Sequence, residues 1–178
     1  DRPPQIMAIC AGRIPSVELG AIIPFSELQK QGLCVFKYKD EIYLSLDDIA
    51  WCDILLIIRG LSSQSVWAAQ QARNLGRLVL GYWDDDFLSI PNYSLSYAYC
   101  SSPKVKKNID TLFKLTNAFF SPSYRLAAKL SSIHGSEVKV LPVVSGSEAL
   151  RQPRLGNNQP PIIGFAATID HRSQLDSL

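Results

Sequence analysis

The segment Asp53-Ile54-Leu55-Leu56-Ile57-Ile58 is a continuous apolar run that opens on one carboxylate and is followed by Arg59. A strand with one face in solvent alternates apolar and polar residues, whereas a strand buried on both faces is apolar throughout. This run therefore predicts a strand in the interior of a parallel sheet that is covered by helices on each side.

The segments around this run alternate between strand and helix patterns. Further strands are predicted at 5–10, 33–38, 78–83, 118–120 and 138–144. Helices are predicted at 17–31, where Pro24 must kink or divide the helix, and at 46–51. Three more should begin at Ser62 or Ser63, at Ser102-Pro103 and at Ser121-Pro122, since serine and proline favour the first positions of helices. Ser121 and Ser123 are both expected to cap the last of these. The pattern predicts an α/β fold, a doubly wound Rossmann-like parallel sheet of about six strands.

The predicted helices carry apolar stripes that should face the sheet. The stripe residues are Leu19, Ile22, Ile23 and Leu28 in the first helix; Val66, Ala69, Ala72 and Leu75 after Ser62; Val105, Ile109, Leu112 and Phe113 after Ser102; and Leu126, Ala127 and Leu130 after Ser121. His134 is expected in the following loop, at the surface.

The composition near the carboxyl end of the chain divides it into two units. Residues 1–147 contain the predicted sheet, and 148–160 are rich in polar residues and proline, as in a linker. The apolar run Ile162-Ile163-Gly164-Phe165 then begins a second α/β unit over 161–178. We therefore expect one domain and the start of another.

Composition and charge exclude several classes of function. Of the 178 residues 47% are hydrophobic and 19% are charged, and no apolar run approaches the length of a membrane span. A net charge of +2 does not suit a nucleic-acid-binding protein. The four cysteines form no C-x-x-C pair and lie in or beside apolar segments, which predicts buried free thiols in a reducing cytoplasm.

Three adjacent carboxylates, Asp84, Asp85 and Asp86, directly follow the predicted strand at 78–83. Such charges repel one another unless a cation or hydrogen-bond donors intervene, and Arg59, after the neighbouring strand, is the first candidate. Because side chains alternate along an extended segment, Asp84 and Asp86 should point one way and Asp85 the other. The carboxylates either bind ligand hydroxyls at the carboxyl edge of the sheet, or cap the next turn and pair with Arg59 structurally.

The loop after the first strand contains Gly12 and Arg13, which could bring backbone and a guanidinium to a ligand. Arg13 could equally be a solvated loop cation. One glycine falls short of both G-x-G-x-x-G and the P-loop, so no dinucleotide or other cofactor is expected.

Several short motifs, in this order and spacing, resemble the amino-terminal domain of GT-B-fold glycosyltransferases, specifically the family-four-like group (glycosyl transferases group 1). These are Gly12-Arg13-Ile14-Pro15-Ser16, Cys52-Asp53-Ile54 through Arg59, Tyr82-Trp83-Asp84-Asp85-Asp86, Phe120-Ser121-Pro122-Ser123, Val138-Lys139-Val140-Leu141-Pro142, Ile163-Gly164-Phe165 and Thr168-Ile169-Asp170-His171. The sequence departs from the group at Gln174, where an acidic residue is common, and after Pro142, where asparagine is common.

The resemblance implies the acceptor-binding half of a cytoplasmic transferase in polysaccharide biosynthesis. Such enzymes move a sugar from a nucleotide-sugar to a glycan or lipid-linked acceptor, here with retention, and some associate peripherally with membranes. The implied acceptor-side residues are Gly12, Arg13, Arg59, Asp84, Asp85, Asp86 and Tyr124, and the implied donor-side residues are Thr168 and His171. The missing carboxyl-terminal domain would hold the paired glutamates, so this chain alone should not catalyse transfer.

Two alternatives to this interpretation remain. Asp84-x-Asp86 matches the D-x-D pattern with which GT-A glycosyltransferases hold a divalent metal, although GT-B relatives usually need none. A flavodoxin-like or receiver-like binding module could also use the acidic edge for a metal or a phosphoryl group. Receiver domains carry their acidic pair after the first strand, where this chain has Cys10-Ala11-Gly12.

Overall fold

The computed structural model describes residues 2–135 and 137–142, and six strands of this part form one parallel sheet. In chain order they are β1 (Gln5–Cys10), β2 (Val35–Asp40), β3 (Ile54–Ile58), β4 (Leu78–Tyr82), β5 (Ala118–Ser121) and β6 (Lys139–Val140). Their order across the sheet is β2-β1-β3-β4-β5-β6, and all neighbours are parallel. The predicted α/β doubly wound sheet is confirmed.

Helices cover both faces of the sheet. They are α1 (Pro15–Val17), α2 (Ile23–Lys30), α3 (Leu46–Trp51), α4 (Ser63–Asn74), α5 (Tyr97–Cys100), α6 (Pro103–Leu115) and α7 (Tyr124–His134). Val17 and Ala21 pack on one face against Ala8, Leu56 and Ile58. On the other face, α3, α4 and α6 bury the alternate side chains of β1, β3 and β4, and α7 packs against β5 and β6. The central strand β3 is buried on both faces, as its apolar run predicts.

The predicted helix at 17–31 is divided. Pro24 has no amide hydrogen for the Gly20 carbonyl, and the chain forms a π-helical turn over Glu18–Ile22 between α1 and α2. Gly20 lies against the ring of Tyr82, where any Cβ would come within 2.6 Å of a ring carbon. This turn changes the buried face, so the expectation that Leu19, Ile23 and Leu28 face the core is wrong, and all three are exposed.

Three local predictions also need correction. The predicted cap at Ser123 is confirmed, since its hydroxyl accepts from the Leu126 amide. The predicted cap at Ser121 is wrong, because its hydroxyl accepts from the Ser123 amide. His134 ends α7 instead of lying in the next loop, and its ring packs against Phe119 at 5.0 Å. Leu75 follows the end of α4 and is exposed, so it does not belong to the buried stripe.

The second strand runs two residues later than the sequence indicates. Gly32 turns the chain after α2 with a φ of 72°, and the amide of Val35 donates to the carbonyl of Pro4, which starts the pairing of β2 with β1. Leu33 consequently lies outside the strand.

An aromatic cluster fixes the chain where β4 ends. Trp83 is 1% exposed, and its ring contacts those of Phe87, Phe113 and Phe119 at centroid distances of 5.3, 5.4 and 6.1 Å. Phe119 lies directly over Gly81, where an added Cβ would come within 2.2 Å of the ring. The acidic triplet therefore follows a rigidly packed residue.

Part of the predicted domain organisation lies outside the described residues. This holds for the end of the first unit at 143–147, the linker at 148–160 and the second unit at 161–178. In the part of the chain that is described, no helix combines the length and the apolar character that a membrane crossing requires.

Asp48 should make the fold sensitive to acid. It completes the capping box of α3 with Ser45, and its carboxylate lies 2.6 Å from the ammonium of Lys39. Partial burial alone would raise the pKa of Asp48, but the hydrogen bonds from Lys39 and Ser45 bring it down to about 2. Because this pKa is below the ordinary value for aspartate, ionised Asp48 stabilises the folded state. This stabilisation is complete above about pH 4 and is lost as the pH falls toward 2.

We therefore expect Asp48→Asn to lower the free energy of unfolding by about 2 kcal/mol at pH 7, with the difference shrinking below pH 4. Urea unfolding at a series of pH values measures this difference. Asp47→Asn, an exposed neighbour on α3, is the matched control and should change stability little. A loss in Asp48→Asn that is equal at pH 7 and pH 2 would contradict the assignment.

Candidate functional site

The candidate site lies where the strand order reverses. From β1 the chain crosses to β2 on one side, whereas β3 and the following strands extend to the other. The loops after β1 and β3 diverge at such a point and leave a crevice at the carboxyl edge of the sheet. A cavity of about 240 Å³ occupies this position. Its lining residues are Cys10, Ala11, Ile14, Glu41, Arg59, Leu61, Ser62, Phe87, Ser96, Tyr99 and Cys100.

Arg59 connects the cavity to the acidic triplet. Its φ of 52° makes it the one non-glycine residue with a left-handed backbone in the described part of the chain. The side chain ion-pairs with Asp84 at 3.4 Å and with Asp85, and it donates to the Ser16 hydroxyl at 3.3 Å. The guanidinium also lies 4.8 Å from the ring centre of Phe87. A strained backbone held by this many contacts is typical of functional sites.

The three adjacent carboxylates pair with different partners from those that the predicted alternation implies. Asp84 and Asp85 both face Arg59, while Asp86 pairs with Lys129 of α7 at 2.6 Å. The predicted partner of the triplet, Arg59, is therefore present, but the expectation that Asp84 and Asp86 share one side is wrong. The alternation fails because β4 ends at Tyr82 and the chain turns, with the Phe87 amide donating to the Asp85 carbonyl.

A second cavity, of about 540 Å³, lies on the other side of the triplet. It is lined by Asp84, Asp85, Asp86, Ser89, Ser123, Arg125, Leu126 and Lys129. Its carboxylates are already paired with Arg59 and Lys129. Within residues 2–135 and 137–142, no three His, Cys, Asp or Glu side chains are grouped so that they could hold a metal ion.

Glu41 is the site residue that the sequence reasoning missed. It begins a single 3-10 turn (Glu41–Tyr43) directly after β2, and it is only 4% exposed although it lines the cavity. The hydroxyl of Ser65, which is fully buried in α4, donates to Oε2 of Glu41 at 2.5 Å. The sequence feature that could have identified Glu41 is its position directly after a parallel strand, the same feature that identified Asp84 to Asp86.

The two groups next to Glu41 are held in their neutral forms. Burial, with further contributions from Glu41 and Asp84, raises the pKa of the Cys10 thiol to about 12. Burial and the charge of Glu41 also raise the pKa of Tyr99. Because the thiolate is the reactive form of cysteine, Cys10 is suited to line the cavity and not to act as a nucleophile.

The other predicted residues lie apart from this cluster. The Gly12 amide donates to Asp40 at 3.1 Å, and Arg13 ion-pairs with Glu18 at the surface. Neither residue lines the cavity beside Arg59. Tyr124 is 83% exposed at the start of α7 and lines neither cavity. Thr168 and His171 lie outside the described residues.

Comparison with known proteins places the chain in no family. No family model matches it, and no curated protein matches it. Among solved structures, a flavodoxin from Streptococcus pneumoniae TIGR4 is similar, with 15% sequence identity and a TM-score of 0.38. The alignment covers 81% of this chain and 88% of the flavodoxin chain.

Proposed function

We propose that this chain is the acceptor-binding half of a cytoplasmic, retaining glycosyltransferase that moves a sugar from a nucleotide-sugar to a glycan or lipid-linked acceptor. The observation that supports this most is the Arg59, Asp84 and Asp85 cluster beside a cavity at the carboxyl edge of the sheet. This is where open α/β sheets bind their ligands.

The chemistry of the cluster suits an acceptor with many hydroxyl groups. Carboxylates accept hydrogen bonds from hydroxyls, and ionised acceptors form stronger ones than neutral groups do. The side chain of Asp85 is 53% exposed, so it can bind a ligand while Arg59 fixes its position. The described residues would orient the acceptor, and a nucleotide-sugar-binding half would supply the activated sugar.

A second candidate is a flavodoxin-like binding module. The strand order β2-β1-β3-β4-β5 is that of flavodoxin-like sheets, which bind FMN at the point where the order reverses. A phosphate group, however, needs free donors after β1, and the Gly12 amide already donates to Asp40. One guanidinium also shares the site with several carboxyl groups, which disfavours an anionic ligand.

Asp85→Asn tests the proposed function in a transfer assay with the full-length product of the gene. Losing a charge-assisted hydrogen bond should cost about 1.5–3 kcal/mol, and the acceptor KM should therefore rise about tenfold or more. The KM for the nucleotide-sugar should stay unchanged, because Asp85 contacts the acceptor only. Labelled sugar incorporation, measured against each substrate in turn, gives both constants.

The control for this assay is Asp47→Asn, which removes an exposed carboxylate on α3 and should leave both constants unchanged. The 178-residue chain alone should transfer no sugar. Transfer by that chain alone, or an increase of the donor KM only in Asp85→Asn, would contradict the assignment to the acceptor side. Saturable binding of FMN together with no transfer would favour the flavodoxin-like module.

A further inference from the structure

Glu41 is a buried carboxyl group in the wall of the cavity beside Arg59. The structure records one hydrogen bond to it in the described part of the chain, from Ser65, whose own hydroxyl accepts from Ser62 at 3.2 Å. A carboxylate can accept about four hydrogen bonds. Ser65 supplies one of these, and Glu41 also lines the cavity, so its remaining acceptor capacity suits a ligand that donates hydrogen bonds.

The remaining walls of the cavity restrict the ligand further. Ile14, Leu61 and the rings of Phe87 and Tyr99 make much of the cavity wall apolar. The volume of about 240 Å³ is below the range of roughly 300–1,000 Å³ typical of sites for drug-sized ligands. The cavity therefore fits one small ring that has an apolar side and several hydroxyl groups.

From these features we infer that the cavity binds a single hexose-sized sugar ring, with Glu41 accepting hydrogen bonds from its hydroxyl groups. Tyr99 would contact the apolar side of the ring, and Arg59 would fix the neighbouring edge of the site. The inference rests on the proposed function, because the bound ring would be the terminal sugar of the acceptor. Glu41 would then determine which acceptor is recognised.

The test is direct binding of methyl hexopyranosides to the 178-residue chain, followed by NMR. We expect saturable binding at millimolar concentrations, and a dissociation constant at least tenfold higher for Glu41→Gln. The amide of glutamine can still accept from Ser65, so this variant removes the charge with little change of shape. Glu27→Gln, an exposed carboxylate on α2 that pairs with Lys30, is the matched control and should bind like the wild type.

A second variant, Tyr99→Ala, tests the inference even if Glu41→Gln does not fold. Tyr99 is 53% exposed, so Tyr99→Ala should keep the fold and still weaken glycoside binding severalfold. The inference is overturned if no glycoside binds, or if the folded variants bind as tightly as the wild type. It is also overturned if inorganic phosphate or a simple amine, and no glycoside, binds in a manner that depends on Glu41.

The transfer assay separates failure of this inference from failure of the proposed function. Acceptor-dependent transfer with an unchanged acceptor KM in Glu41→Gln would refute the role of Glu41 alone. Glycoside binding that depends on Glu41, in a protein whose full-length form transfers no sugar, would refute the transferase assignment alone.

Discussion

Replacing Trp83 by alanine is expected to lower the free energy of unfolding by about 3–5 kcal/mol, the usual cost of truncating a buried aromatic residue. Trp83 is buried among three aromatic rings, and the close approach of Phe119 to Gly81 leaves these rings little freedom to move into the space. Urea unfolding monitored by circular dichroism measures the loss of stability. Circular dichroism is used because removing Trp83 also changes the tryptophan fluorescence.

The matched control for this substitution is Trp67→Ala. Trp67 lies on α4 and is only partly buried, so its truncation should cost clearly less. Trp83→Phe keeps a ring in the cluster and should fall between the wild type and Trp83→Ala. Equal losses for Trp83→Ala and Trp67→Ala would show that the aromatic cluster does not anchor the segment that carries Asp84 and Asp85.

The second large effect is expected at Arg59. Arg59→Ala removes the guanidinium from Asp84 and Asp85 and leaves a partly buried carboxylate unpaired, which should lower the free energy of unfolding by about 2 kcal/mol. Alanine also keeps the unfavourable left-handed backbone at this position. Ligand binding at the carboxyl edge should be lost as well, because both aspartates lose the cation that orients them.

Arg59→Gly separates the effect of the lost guanidinium from the effect of the left-handed backbone at this position. Glycine adopts a φ of 52° without the steric penalty, so Arg59→Gly should be more stable than Arg59→Ala by about 1 kcal/mol. Both variants should bind ligand equally poorly, since neither carries the guanidinium. Denaturant unfolding gives the stability difference and titration with an acceptor gives the affinities. A less stable glycine variant, or normal binding by either, would refute this account of Arg59.

The features that the sequence predicts correctly are those that follow from the order of residues along a single strand. The unbroken apolar run of β3 indicates burial on both faces of the sheet. Because the carboxyl ends of parallel strands meet at one edge, Arg59 is expected beside the acidic triplet, where it lies. Where the chain leaves regular structure, these patterns fail. Asp84 and Asp85 share one cation because the chain turns after Tyr82, and alternation holds only within a strand.

Other features depend on contacts between distant residues. Pro24 predicts a break in the helix, but the sequence does not show that Gly20 of the π-helical turn lies against the ring of Tyr82. The buried Glu41 accepts a hydrogen bond from Ser65, which is 24 residues away in the sequence. A single carboxylate after β2 gives a weaker signal than three in a row, so the sequence reasoning passed over it.

The most direct test of the central claim is the crystal structure of the full-length protein with an acceptor oligosaccharide bound. We predict that the terminal sugar lies in the cavity beside Glu41 and Arg59, with a hydroxyl within hydrogen-bond distance of Asp85. An acceptor bound away from the carboxyl ends of β1, β3 and β4, with these side chains making only the contacts they make now, would contradict the account.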